Sequence, residues 1–560
     1  MWFLSWLPHA LEHGHSPLFT TALMAPAGAN LMGSTSIFLP SLLLWPLTAV
    51  GGPVLSYDVL ATAGLALSAW TAYFAMLRLT PYRSTAWVGG AIYGFGGYMA
   101  GQATAHANLL VVVFPPLAAM LLDDVRTARG PARVGALLGL CAAAQVFVDE
   151  EILAITAIVA LAALMLVVML SRPTREMVGR YARAGAAATV VFAVLAGPVL
   201  GYQLFGPEHV SGAIVSSGRY VNDLAGFVIP SSIDLLSTAG SRHLTSGFSG
   251  LDGELGSYLG VPLLALIVLA GWRLRRRALL LLLLLATAVL FSLGPHLRVL
   301  GHDTGIWLPW IVPNHMPLLE NAIPSRFNLF TWLACGALAV LLIDDLRRRP
   351  LLGRRGLGLA LCGVALIPVI PTLTPSEVVR IPAVLANARV LRKLAPHART
   401  VLIVPSANGQ LGMYAQARAD FAYDIPDGGV FVPSPDGPSY GMRHGPLLYA
   451  LARLGGHAST RAGRTRLDAL CLKRIAIGLA LDRGCAERYR RALQVLHVDA
   501  IVVSALGSRS SAARYTHFFA ALLGAPQATE GAAVFVPSPT PPVARPYPNQ
   551  PAGIRRRRGQ

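Results

Sequence analysis

The stretch GALLGLCAAAQVFVDEEILAITAIVALAALMLVVMLSRPTR (135–175) sets two apolar runs around three adjacent carboxylates and ends in arginines. The first run, counted from residue 132 to 148, and the second, 151–170, have about the 17–25 residues that a helix needs to cross a bilayer. Asp149, Glu150 and Glu151 then fall where one crossing ends and the next begins, and Arg172 and Arg175 fall at the opposite side. The stretch reads as a membrane hairpin with an acidic mouth and a basic foot.

The rest of the chain repeats that reading. Its 560 residues are 54% hydrophobic and only 13% charged, against about 25% charged in ordinary soluble proteins. Ten spans are expected, near 57–78, 84–101, 107–122, 132–148, 151–170, 184–204, 257–273, 278–294, 326–345 and 356–373. Alternate connections carry the arginines: Arg78 and Arg83; Arg126, Arg129 and Arg133; Arg172 to Arg183; Arg273 to Arg277; Arg347 to Arg355. By the positive-inside rule these five loops face the cytoplasm. The net charge of +19 is therefore a topological signal and implies no nucleic-acid partner. IFLPSLLLWPLTAV (37–50), interrupted by Pro40 and Pro46, is expected to be re-entrant or interfacial.

Four regions follow: an interfacial outer segment (1–35), a mainly α, polytopic helical bundle (36–373), an extracytoplasmic α/β domain (374–537) and a disordered Pro/Arg-rich tail (538–560). The bundle carries long outer loops at 205–256 and 295–325. Structureless loops of that length are uncommon unless they serve a function, and Pro, Gly and aromatic residues among their ionisable groups favour ordered ones. RTVLIVP (399–405), VDAIVVS (498–504) and AAVFVPS (532–538) read as strands, with helices near 446–455, 486–496 and 511–523. Cys471 and Cys485 share this region and are a candidate disulfide, given an oxidising compartment.

Candidate site residues crowd the outer side. Asp149 fits a helix N-cap, while acids at membrane depth are functional candidates by default, and the sequence leaves both readings of 149–151 open. His106 and Asn108, in QATAHANLL, are candidate substrate ligands at a helix start. Arg326, in IPSRFNLF, opposes the charge bias of the inner loops, and a guanidinium suits a phosphate. HALEH (9–13) matches an inverted zinc-protease pattern. Trp2, Phe3, Trp6, Leu7 and Leu11 instead make it a membrane-surface helix.

Several stretches together resemble the GT-C class of polytopic membrane glycosyltransferases, within it the actinobacterial and YfhO-like membrane proteins. They are WFLSWLPHALEHGHSPLFTTALMAPAGANLM, AHANLL, VDEEI, GSYLGVPLL, LFSLGPHLRVLG and IPSRF. The resemblance implies transfer of a sugar from a polyprenyl-phosphate donor to a glycan, lipid or protein acceptor in the cell envelope, at the outer face of the membrane. It implies that Asp149, Glu150 and Glu151 form the family's second acidic motif, with a divalent ion (Mg or Mn) as possible cofactor. The family's first motif, an aspartate after a preceding helix, has no match, since Glu12 is the only acid in residues 1–35. That departure leads to the expectation of a further helix and an aspartate ahead of Met1. The alternative is a non-catalytic transporter, lipid-handling protein or envelope-assembly scaffold. Transporters, however, bind near mid-bilayer between repeats, whereas here no repeat is visible and the ionisable residues lie outside.

Overall fold

The computed structural model describes residues 1–104, 106–214, 218–250, 252–316, 319–350, 355–367, 370–372, 381–405, 410–434, 437–442, 445–455, 470–471, 473–475, 481–504, 509–529 and 531–537. The expected tail at 538–560 lies outside them. Among the described residues each of the ten stretches read as spans contains helix, although in the last, 356–373, it is Arg355–Leu366. Among the described residues five helices are long and apolar enough to cross a membrane: Trp45–Met76, Ala107–Thr127, Glu150–Ser171, Arg175–Phe205 and Pro324–Arg348.

Their boundaries depart from expectation where proline and glycine intervene. The first long helix starts at Trp45 rather than near 57, taking in half of the stretch expected to be re-entrant. Pro46 sits in its first turn, where the missing N–H would be unpaired anyway. Pro53 is accommodated because Gly52, at φ 77°, steps out of helical geometry, a region that costs glycine little. The second expected span is two helices, Arg83–Phe95 and Gly97–Ala103. At the junction a Cβ on Gly96 would lie 2.6 Å from the Trp332 ring, so glycine lets the two helices close on that indole. The third opens with a 3-10 turn, Ala107–Leu110, before Phe114–Thr127.

The helix Asn328–Arg348 is the axis of the bundle and is buried along most of its length. Arg83–Phe95, Gly260–Leu274 and Arg276–Ser292 pack around it. Glu150–Ser171 and Arg175–Phe205 lie at the periphery, with many of their apolar side chains exposed. Lipid supplies no hydrophobic drive between helices, so close packing needs small residues. Gly135 and Gly139 supply it: a Cβ there would meet the backbone oxygens of Ala184 and Ala188 at 2.0 and 2.3 Å.

After residue 381 the chain forms a four-stranded sheet. Val401–Val404 runs parallel to Ala500–Ser504, Ala532–Phe535 pairs antiparallel on its far side, and Gln527–Thr529 forms the edge. Alternate side chains divide between two cores, as a pleated strand requires. Leu402, Val404, Ile501 and Val503 meet the helices Pro446–Leu454, Arg483–Val495 and Arg509–Leu523. Val401, Ile403, Ala500 and Val502 share the other core with Trp2, Trp6 and Ala10. The apolar face of the N-terminal helix Trp2–Glu12, expected against a membrane surface, is therefore buried against protein, and Trp2 Nε1 donates to Gln416 Oε1 at 2.6 Å. Cys471 and Cys485 are disulfide-bonded.

The long loops are ordered in their described parts. The 295–325 loop holds a hairpin, His296–Val299 with His302–Trp307. The 205–256 loop holds the helix Ala239–Thr245 and two 3-10 turns.

Gly139→Val should destabilise the bundle by about 1–3 kcal/mol through overpacking. Gly179→Ala, inside a helix with open space around it, should not destabilise and should gain up to about 1 kcal/mol. Thermal unfolding of both variants in the same detergent measures the difference.

Candidate functional site

Asp149 is the N-cap of Glu150–Ser171. Its Oδ1 accepts the Ile152 N–H at 2.9 Å, satisfying one of the helix's orphan donors. Its Oδ2 accepts Asn108 Nδ2 at 2.7 Å, and Gln145 Nε2 donates to its backbone oxygen at 2.9 Å. Glu150 and Glu151 occupy the first turn, where the helix dipole favours anions. Consecutive helical side chains diverge by about 100°, and the two acids go separate ways.

Glu151 turns to the loop before the axial helix. It accepts the Ile323 N–H at 2.7 Å and forms an ion pair with Arg326 Nη1. Arg326, only 9% exposed, also donates through Nε and Nη2 to Glu254 Oε1, at 3.3 Å each. Glu254 comes from the Asp252–Glu254 turn; its second oxygen accepts Ser325 Oγ at 2.7 Å and Gln102 Nε2 at 3.3 Å. Arg326 thus has all three guanidinium nitrogens on carboxylates.

His106 joins through Gln102, whose Oε1 lies 2.9 Å from His106 Nδ1. An amide oxygen only accepts, so Nδ1 carries the proton and Nε2 keeps a lone pair. Burial lowers the imidazole's proton affinity, and the nearby Arg326 charge lowers it further. At neutral pH the ring is uncharged. The Tyr98 hydroxyl is also buried here, without a hydrogen-bond partner among the described residues.

Glu150 turns the other way, towards the end of Arg175–Phe205, where Gln203 Nε2 donates to its Oε1 at 2.9 Å. Among the described residues nothing else bonds this carboxylate. The structure therefore brings together Asp149, Asn108, Glu151, His106 and Arg326, with Glu150 on the outer flank of the same turn. Glu254, Gln102, Ser325 and Gln203 complete the network and were not singled out in the sequence. Glu254 had one signal, its place two residues before the quoted run GSYLGVPLL. Among the described residues no three His, Cys, Asp or Glu converge as metal ligands. No step is assigned to the expected divalent ion.

No family model and no curated protein matches the chain. Among solved structures it is similar to the arabinofuranosyltransferase AftD from Mycobacteria, with a TM-score of 0.57 and 15% identity over 95% of this chain. The match spans 37% of that longer protein. The archaeal oligosaccharyltransferase AglB from Archaeoglobus fulgidus superposes more loosely, with a TM-score of 0.42 and 12% identity over 90% of this chain and 65% of its own. The first likeness establishes a GT-C fold for the helical bundle.

Arg326→Met should cost about 3–5 kcal/mol, because it strands two buried carboxylates. Adding Glu151→Gln and Glu254→Gln should recover much of that loss, a coupling that chemical or thermal unfolding of the single and triple variants measures. His106 adds a pH dependence. The unfolded imidazole takes a proton near about pH 6.5, whereas the folded one resists it to lower pH. Stability should fall as pH drops through that window, and His106→Asn should fall less than the parent between about pH 7.5 and pH 5.5.

Proposed function

We propose that this chain is an integral membrane glycosyltransferase of GT-C type. It moves a sugar from a polyprenyl-phosphate donor to a hydroxyl of a cell-envelope glycan, lipid or protein. The observation that carries the reading is the unequal commitment of four clustered carboxylates. Asp149 caps a helix, while Glu151 and Glu254 neutralise Arg326. Only Glu150 keeps an oxygen outside the network, at a helix end flanked by ordered loops.

A carboxylate so placed can take the proton of an acceptor hydroxyl. The acceptor oxygen then forms its bond to the anomeric carbon as the carbon–oxygen bond to phosphate breaks, and polyprenyl phosphate leaves with the electron pair. His106 and Asn108 supply polar groups for sugar hydroxyls. Arg326, expected from sequence to hold the phosphate, is already held by two carboxylates and is better read as a positioning residue that fixes the loops.

In this reading ten helices cross the membrane, the acids and the sheet after residue 381 face outward, and the arginine loops face the cytoplasm. The YfhO-like kinship is supported by the quoted sequence stretches. The alternative of a non-catalytic scaffold or lipid-handling protein draws on one observation, that three of the four carboxylates already have both oxygens bonded within the protein.

Proteoliposomes of the full chain, supplied with polyprenyl-phosphate sugars and assayed for released polyprenyl phosphate, separate the two readings. Arabinofuranose, named in the AftD neighbour, is the first sugar to try. Glu150→Gln should cut turnover by roughly 10²-fold or more without lowering thermal stability. Parental turnover in that variant removes Glu150 as the base. A parent that transfers no sugar from any donor favours the scaffold.

A further inference from the structure

The helices Trp45–Met76 and Arg83–Phe95 leave an exposed groove between them. Its sides are Trp70, Tyr73, Trp87 and Phe95, and its floor includes Ala66, Ala69 and Ala91. The floor is deep because the backbones touch: a Cβ on Gly90 would lie 2.7 Å from Ala69 O, and one on Gly94 2.3 Å from Ala69 Cβ. Trp70, Trp87 and Phe95 are 58%, 66% and 50% exposed. From Ser84 to Phe95 the groove follows about 17 Å of helix at 1.5 Å per residue. That is roughly half of the 30 Å hydrocarbon thickness of a bilayer, the depth of one leaflet.

One end is cationic. Arg83 and Ser84 close the groove. Beside them Arg347 stacks over Tyr82 at 5.0 Å and donates to Ser84 Oγ at 3.1 Å, while its Nε is buried without a partner. Neighbouring arginines have carboxylates: Arg78 pairs with Asp124, Arg273 with Asp345 and Arg348 with Asp344. Among the described residues Arg83 and Arg347 have none. Two unneutralised guanidiniums at the head of a leaflet-deep apolar groove match one ligand shape, an anionic headgroup on an acyl chain.

We propose that this groove is a binding site for an anionic phospholipid, its phosphate on Arg83 and Arg347 and one acyl chain between Trp70 and Trp87. The proposal does not depend on the transferase reading. Its test uses the full chain in neutral vesicles containing a trace of phosphatidylglycerol with a diazirine in one acyl chain, or phosphatidylcholine with the same chain. Photolysis and peptide mass spectrometry locate the adducts. The phosphatidylglycerol probe should label residues 66–95 roughly tenfold or more above the phosphatidylcholine probe. The double variant Arg83→Gln/Arg347→Gln should bring the two to equality, and Arg348→Gln should leave the preference intact. Equal labelling in the parent, or a preference that survives the double variant, overturns the proposal. Should the double variant misfold, Ala91→Phe fills the groove and must remove labelling by both probes; labelling that persists also overturns it.

Discussion

The Arg326 guanidinium ties three separate parts of the chain to one point. It holds Glu151 at the head of a peripheral helix, Glu254 at the end of the 205–256 loop, and its own turn at the head of the axial helix. Buried ion pairs rarely add net stability, because desolvation offsets the attraction. Their value here is geometric. An arginine without carboxylates at this depth, or either glutamate without the arginine, would be an uncompensated buried charge, so the three segments have one low-energy arrangement. Gln102 and Ser325 fill remaining acceptor positions on Glu254, and through Gln102 the same point sets the tautomer of His106.

That frame explains why adjacent acids can have different fates. Asp149 serves the helix end and Glu151 the ion network. Glu150, rotated by one residue, escapes both. A reactive group must be held by its surroundings without being consumed by them, and a first-turn position beside a rigid triad meets that condition.

The helical bundle was legible because apolar runs and arginine loops are long-range compositional signals, insensitive to single residues. The N-cap role of Asp149 was legible as one of two open readings, since it depends on local chemistry. The boundaries near Trp45 and Gly96 were not. They depend on Gly52 absorbing the break at Pro53 and on Trp332 demanding a residue without a side chain, contacts set by tertiary packing. Glu254 was hidden for the same reason. Nothing in its neighbourhood in sequence indicates that it will face Arg326, 72 residues away. The N-terminal helix shows the converse, where an amphipathic pattern was read correctly and its partner was not. An apolar face reports that something covers it, and Trp2 and Trp6 are covered by the core beneath the sheet rather than by lipid.

The proposed transferase requires a fixed triad that presents Glu150 to a sugar. A cryo-electron microscopy reconstruction of the Glu150→Gln variant in a nanodisc, with a polyprenyl-phosphate sugar bound, tests it most directly. Sugar density is expected within about 3.5 Å of the side chain at position 150, with Arg326 still bridging Glu151 and Glu254. Sugar bound elsewhere, or Arg326 swung off its glutamates onto the phosphate, would contradict it.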